Sequence, residues 1–148
     1  MRRTAFGLLL LVVVLAGSAL PAAAGETDNR LNGAYRNPVQ AGWIFVHLEG
    51  SPADIGYQHG ALLAPEIEDS KRAIELSVTH EVTHNWSELR TLSEKYFWPA
   101  VPQEYRDEIE GMVEGLRTTG SKLDALDLTT MNAYMGSEER RVGKECRL

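Results

Sequence analysis

From Gly42 to Gly50 the chain reads GWIFVHLEG, and both alternating sets of positions are largely apolar. Ile44, Val46 and Leu48 lie on one side, Trp43 and Phe45 with His47 on the other. Period two predicts a strand, and apolar residues on both faces predict one internal to a layered fold. After Gly50, Ser51-Pro52-Ala53-Asp54 has the marks of a helix start: a hydroxyl at the N-cap, proline at the first helical position, and an acid placed to reach back. Gly56 and Gly60 fall on one face of that helix and allow close approach of another helix or strand, while Pro65 predicts a kink or restart near Ala64. Ile67, Ile74, Val78 and Val82 then form an apolar stripe at helical spacing. A third helix is expected over about 87–97, stopping at Trp98-Pro99. A fourth, over about 102–119, should bury Ile109, Met112, Val113 and Leu116, with Gly120 as its C-cap. The last starts near Ala125 and offers Leu128, Met131 and Met135. One strand followed mostly by helices places the chain in the α+β class.

The two ends read differently from this middle. Arg2 and Arg3 precede an apolar run from Phe6 to Leu20 and the small residues Ala22-Ala23-Ala24, the pattern of a secretory signal cut between Ala24 and Gly25. An uncleaved anchor is the alternative, but the run is shorter than the roughly 20 residues that span a bilayer. The membrane is expected as a partner only through this signal peptide (1–24), and the mature chain is expected to be exported, periplasmic or extracellular. Residues 25–41 form a polar lead-in rich in Asn, Gly and Arg, and 42–136 the domain proper. At Ser137 a charge cluster, SEERRVGKECRL, interrupts the last helix in mid-pattern. Ser137 to Arg147 resembles, residue for residue, an in-frame translation of a common sequencing-adapter oligonucleotide. The 137–148 segment is therefore expected to be non-native, with native sequence ending near Met135 or Gly136, and Cys146 is not proposed as a nucleophile.

Composition narrows the partners. With 15 Lys plus Arg against 21 Asp plus Glu, the formal charge is −6, and loss of Arg2 and Arg3 with the leader makes the mature chain more acidic. Such a chain repels phosphate backbones, and no basic patch with interleaved aromatics is visible, so nucleic acid is not expected as a partner. A single cysteine excludes an internal disulfide. The hydrophobic fraction of 43% suffices for one modest core.

One stretch invites a catalytic reading. His80-Glu81-Val82-Thr83-His84 matches the H-E-x-x-H pattern, in which two histidines one helical turn apart bind zinc and the glutamate polarises a water. At 100° per residue, however, both histidines point away from the stripe of Ile74, Val78 and Val82, toward solvent rather than a buried cleft. A third ligand is also needed, and Glu104 or Glu108 on a following helix, the fourth, are the candidates. A metal site is not expected; His80, His84 and Glu81 stand as the zinc alternative. His47 is read as a hydrogen-bonded structural histidine and His59, beside the glycine face, chiefly as a packing residue.

The runs GWIFVHLEGSPADIGYQHGALLAPEIED, THEVTHNW, WPAVPQEYRDEIEGMVEGL and GSKLDALDLTTMNAYM, in this order, resemble the N-terminal region of bacterial autoproteolytic acyltransferases and hydrolases. These form the acyl-coenzyme A:6-aminopenicillanic acid acyltransferase (isopenicillin-N acyltransferase-like) cysteine peptidase family, with phospholipase B-like relatives. The resemblance spans about Ala41 to Met135. It implies an N-terminal nucleophile (Ntn) hydrolase, an αββα sandwich whose precursor cuts itself before an internal cysteine and then transfers or hydrolyses amide or activated acyl groups, without cofactor. In the family the stretch matching THEVTHNW is helical and needs no metal. The nucleophile would follow Met135, so none of the family's catalytic residues can be placed on this sequence. The expected partners are a small-molecule amide or acyl substrate and the missing C-terminal part of the precursor. A secreted H-E-x-x-H zinc peptidase and a non-catalytic helical binding module are the alternatives.

Overall fold

The computed structural model describes the backbone of residues 28–81 and 85–145 and the side chains of 28–80 and 85–136. Within it the chain is mostly helical, with one small antiparallel sheet, which places it in the α+β class. A 3-10 turn at Asn29–Leu31 leads to β1 (Tyr35–Arg36), which pairs with β2 (Val46–His47) in the register Tyr35 with His47 and Arg36 with Val46. Then come α1 (Pro52–Leu62), α2 (Ala64–Glu81) and α3 (Trp86–Leu92). A π turn at Ser93–Phe97 and a 3-10 turn at Trp98–Ala100 lead into α4 (Gln103–Thr118), and α5 (Ala125–Glu145) follows. Among the described residues, no helix is long and apolar enough to cross a membrane.

The expected strand proves to be half of a hairpin, and its other half lies in the segment read as a polar lead-in. Gln40 and Trp43 exchange two backbone hydrogen bonds of 2.9 Å around Ala41 (φ 50°) and Gly42 (φ 84°), the left-handed pair of a two-residue hairpin turn. Burial alternates from Trp43 to Val46 and not beyond: Ile44, Val46 and Leu48 are half-buried, and His47 between the last two is half-buried as well. The expectation of a strand internal to layers does not hold: Trp43 is 81% and Phe45 58% exposed, because nothing among the described residues covers that face.

Helix boundaries follow the local signals. Ser51 caps α1 in a reciprocal capping box with Asp54, and the chain restarts at Ala64 beside Pro65 as predicted. Past Phe97 the helical path continues as a 3-10 turn through Trp98 and Pro99 instead of stopping, and Arg106 holds it by donating to the carbonyls of Trp98, Pro99 and Val101 at 2.9–3.0 Å. Gly120 takes φ 88° after the last residue of α4, as a helix C-terminus favours. Helix α5 runs on to Glu145, across the point where a break in pattern was expected at Ser137. Glu- and Arg-rich sequence is good helix former, so a loss of apolar periodicity does not end the backbone helix.

The organising contact is α1 on α4. An alanine Cβ at Gly56 or Gly60 would lie 1.9 Å from the Glu108 carbonyl or 2.1 Å from that of Met112. At Gly111 or Gly115 it would lie 2.2 or 2.1 Å from the carbonyls of Ala53 or Tyr57. Partner numbers rise together, so the helices run parallel, with two glycines one turn apart on each facing the other backbone. Around this contact Ala64, Ile67, Val113, Leu116, Leu123 and Leu128 form the buried core, flanked by Ile109, Met112 and Met131. Ile74 and Val78 of the predicted stripe are buried as well, and Val82 lies outside the described residues.

Candidate functional site

The glycine contact draws α1 against α4, and α5 passes across the same side, leaving a cavity of about 780 Å³ between them. That volume falls in the range of small-molecule pockets, about 300–1,000 Å³. Each wall is a helical face legible by spacing. Tyr105, Glu108, Ile109 and Met112 recur at i, i+3, i+4 and i+7 on α4, and Thr129, Asn132, Ala133 and Gly136 do so on α5. His59 closes the α1 side, and Phe97, Ala100 and Val101 close the end.

The polar groups in this apolar enclosure are few. His59 is half-buried; burial pushes its pKa below the ordinary histidine value, and the Glu108 carboxylate opposes this in part. The imidazole is therefore neutral at pH 7, with one nitrogen donating and one accepting. Thr129, 4% exposed, donates its hydroxyl to the Ala125 carbonyl at 2.7 Å. Asn132 donates one amide N–H to the Leu128 carbonyl at 3.1 Å, and its side-chain oxygen and second N–H take no part in that bond. No Lys or Arg is among the described lining residues. The arrangement can hold an apolar body and accept hydrogen bonds from a polar head.

Two ion-pair clusters brace the scaffold. Arg90 of α3 makes two hydrogen bonds of 2.8 Å to the Asp124 carboxylate and also pairs with Asp127, which accepts from Trp86 Nε1 at 3.0 Å. The Arg90 guanidinium holds Asp124 down at about 2. At the other end Arg30 lies 3.7 Å over the Tyr57 ring and bonds Asp28 and, at 2.6 Å, Glu114 of α4. Beside it Gln58, 2% exposed, accepts from the Glu49 amide at 2.8 Å and donates to the carbonyls of Arg30 (2.6 Å) and Glu49 (2.8 Å).

The residues singled out from sequence do not assemble into one centre. His47 is bonded to Glu49 at 3.3 Å and stacked on Tyr35 with ring centroids 5.3 Å apart, in keeping with a structural role. His80 is exposed near the end of α2, as its helical angle required. His84 and the Glu81 side chain lie outside the described residues, as do Ala24, Gly25 and Cys146. Glu104 is exposed in the first turn of α4, whereas Glu108 faces the cavity with His59. Among the described residues, no group of three or more His, Cys, Asp or Glu is placed to hold a metal ion. The sequence reading missed Gln58, Arg30, Arg90, Thr129 and Asn132. Only the last two carried a signal, the polar interruptions on an otherwise apolar helical face.

No protein-family model matches the chain, and no solved structure does. The chain is 31% identical over 135 residues to a protein of Archaeoglobus fulgidus described only as uncharacterized, an alignment covering 84% of this chain and 21% of that protein. The chain thus spans about a fifth of the length of the curated relative it matches.

Proposed function

We propose that the chain is the N-terminal scaffold of an exported Ntn-type cysteine acyltransferase or amidohydrolase precursor, and that it carries no nucleophile of its own. The observation that carries this reading is the hairpin. A two-stranded sheet with half-buried Ile44, Val46 and Leu48 on one face and exposed Trp43 and Phe45 on the other is what one edge of a larger sandwich presents when seen without its second layer. The order of motifs from Ala41 to Met135 supports the family, and similarity to a much longer relative fits a scaffold role. In the intact enzyme the freed cysteine thiol would attack the substrate carbonyl while its own α-amine takes the thiol proton. The amine leaving group would depart with that proton, and water or a second amine would then resolve the thioester. This chain's part is to hold the layers in place, through the α1–α4 contact and the Arg90 and Gln58 braces.

The test is the product of the uninterrupted gene. It is expected to cleave itself before a cysteine that follows Met135 in that product and is not Cys146, read as a new N-terminal cysteine by mass spectrometry, and to stay whole when that cysteine is alanine. The 148-residue chain is expected neither to self-cleave nor to turn over acyl substrates. Turnover by it that disappears in Cys146→Ala would overturn the reading.

A further inference from the structure

We propose that the cavity between α1, α4 and α5 is a binding site for an amphiphile with an apolar body and a cationic, hydrogen-bond-donating head, such as a primary alkylammonium. This goes beyond the scaffold role and does not depend on it.

Charge and hydrogen-bond sense decide the class of ligand. The cavity wall carries one carboxylate, Glu108, and no cation among its described residues. Glu108 has no hydrogen bond or ion pair among the described residues, in a protein where Arg30, Arg36, Arg72, Arg90 and Lys71 are all engaged by acids elsewhere. Thr129 spends its one donor on the Ala125 carbonyl and presents oxygen, while Asn132 uses one of its two amide N–H groups on the Leu128 carbonyl and keeps its oxygen and one N–H. Neutral His59 adds one acceptor beside Glu108. A carboxylate or phosphate head would meet Glu108 with like charge; an ammonium, with three donors and a positive charge, pairs with Glu108 and is accepted by the oxygens of Thr129 and Asn132. Apart from the Tyr105 hydroxyl, the rest of the wall, including Phe97, Val101, Ile109 and Met112, is apolar and supplies the energy of burial. One wall is set by the glycine contact that fixes α1 on α4, so the site is preformed on that side.

Isothermal titration of the 148-residue chain with n-octylammonium, n-octanoate and n-octanol tests this. Octylammonium should bind with one-to-one stoichiometry, tightening by about three- to fourfold per added methylene. Octanoate and octanol should bind at least tenfold more weakly. Glu108→Gln should weaken octylammonium about tenfold, Ala133→Trp should abolish it by filling the cavity, and Glu110→Gln, an exposed acid elsewhere on α4, should leave it unchanged, with far-UV circular dichroism showing each variant as helical as the parent. Equal affinity for the three probes, no effect of Glu108→Gln, or equal weakening by Glu110→Gln would overturn the proposal. So would sedimentation equilibrium showing a self-associated chain that Ala133→Trp renders monomeric, which would assign the cavity to a second copy.

Discussion

Replacing Gly115 with alanine tests the feature on which the whole arrangement hangs. The new Cβ would lie 2.1 Å from the Tyr57 carbonyl oxygen and 2.7 Å from the Ala61 nitrogen, where ordinary contact begins at 3.4 Å. The obstacle is backbone, so no rotamer change relieves it, and α1 and α4 must part locally by about 1.3 Å, the difference between those distances. Parting by even 0.5–1 Å forfeits a quarter to a half of the attraction between atoms across a gap. Leu116, fully buried beside Gly115, would share in that loss. Overpacking costs about 1–3 kcal/mol, and a clash between two backbones belongs at the upper end. Against this stands the gain of alanine over glycine inside a helix, about 1 kcal/mol. The net expectation is a loss of about 2 kcal/mol. Gly136, helical in α5 with nothing within 4 Å of its Cβ position, isolates the propensity term, and Gly136→Ala should gain about 0.5–1 kcal/mol. In urea titrations followed by circular dichroism, with a slope of about 1–3 kcal/mol per molar, the Gly115→Ala midpoint should fall by about 1 M and the Gly136→Ala midpoint should rise. Gly115→Ala at or above the parent midpoint, while Gly136→Ala rises, would refute the close α1–α4 contact.

Three further outcomes follow from the braces and from the histidine motif. Gln58→Ala strips partners from three backbone groups at Arg30 and Glu49 and should cost about 3 kcal/mol, with hydrogen exchange at the Glu49 amide accelerating; unchanged protection there would refute the role. Because Arg90 depresses the Asp124 pKa from 3.8 to about 2, this pair stabilises the fold above pH 4, and its contribution fades as pH falls from about 4 through 2. Asp124→Asn should therefore lose less stability than the parent between pH 5 and pH 2.5 in urea midpoints, and equal losses would count against the pair. Elemental analysis should find no stoichiometric zinc, and His80→Ala should change nothing; one equivalent of zinc, lost in both His80→Ala and His84→Ala, would restore the peptidase alternative.

Much of the local structure was legible. Ser51, Pro52 and Asp54 announced α1, Gly120 ended α4, and alternation along 43–46 assigned the two sides of that stretch. The spacing of Gly56 and Gly60 foretold a close approach without saying to what. Their partners Gly111 and Gly115 sit some fifty residues away, and nothing in either pair encodes the other. The candidate cavity was less legible still, since the sequence points to packing for His59 and offers Glu108 only as a third zinc ligand alongside Glu104.

The division has a physical basis. Caps, turns and helical periodicity are settled by groups within about one turn of each other, so the amino-acid order alone determined where the helices begin, which faces they bury, and that His80 faces solvent. Pairing over long range is made through backbone atoms that every residue shares. Thus β1 could hide in a polar stretch and join β2 by main-chain hydrogen bonds, and carbonyls of α1 and α4 could meet wherever both lacked a Cβ. Only the tertiary structure decided that Trp43 and Phe45 lie open, that Gln58 bridges the loop after β2 and the turn before β1, and that a carboxylate on α4 and a half-buried histidine on α1 line one cavity.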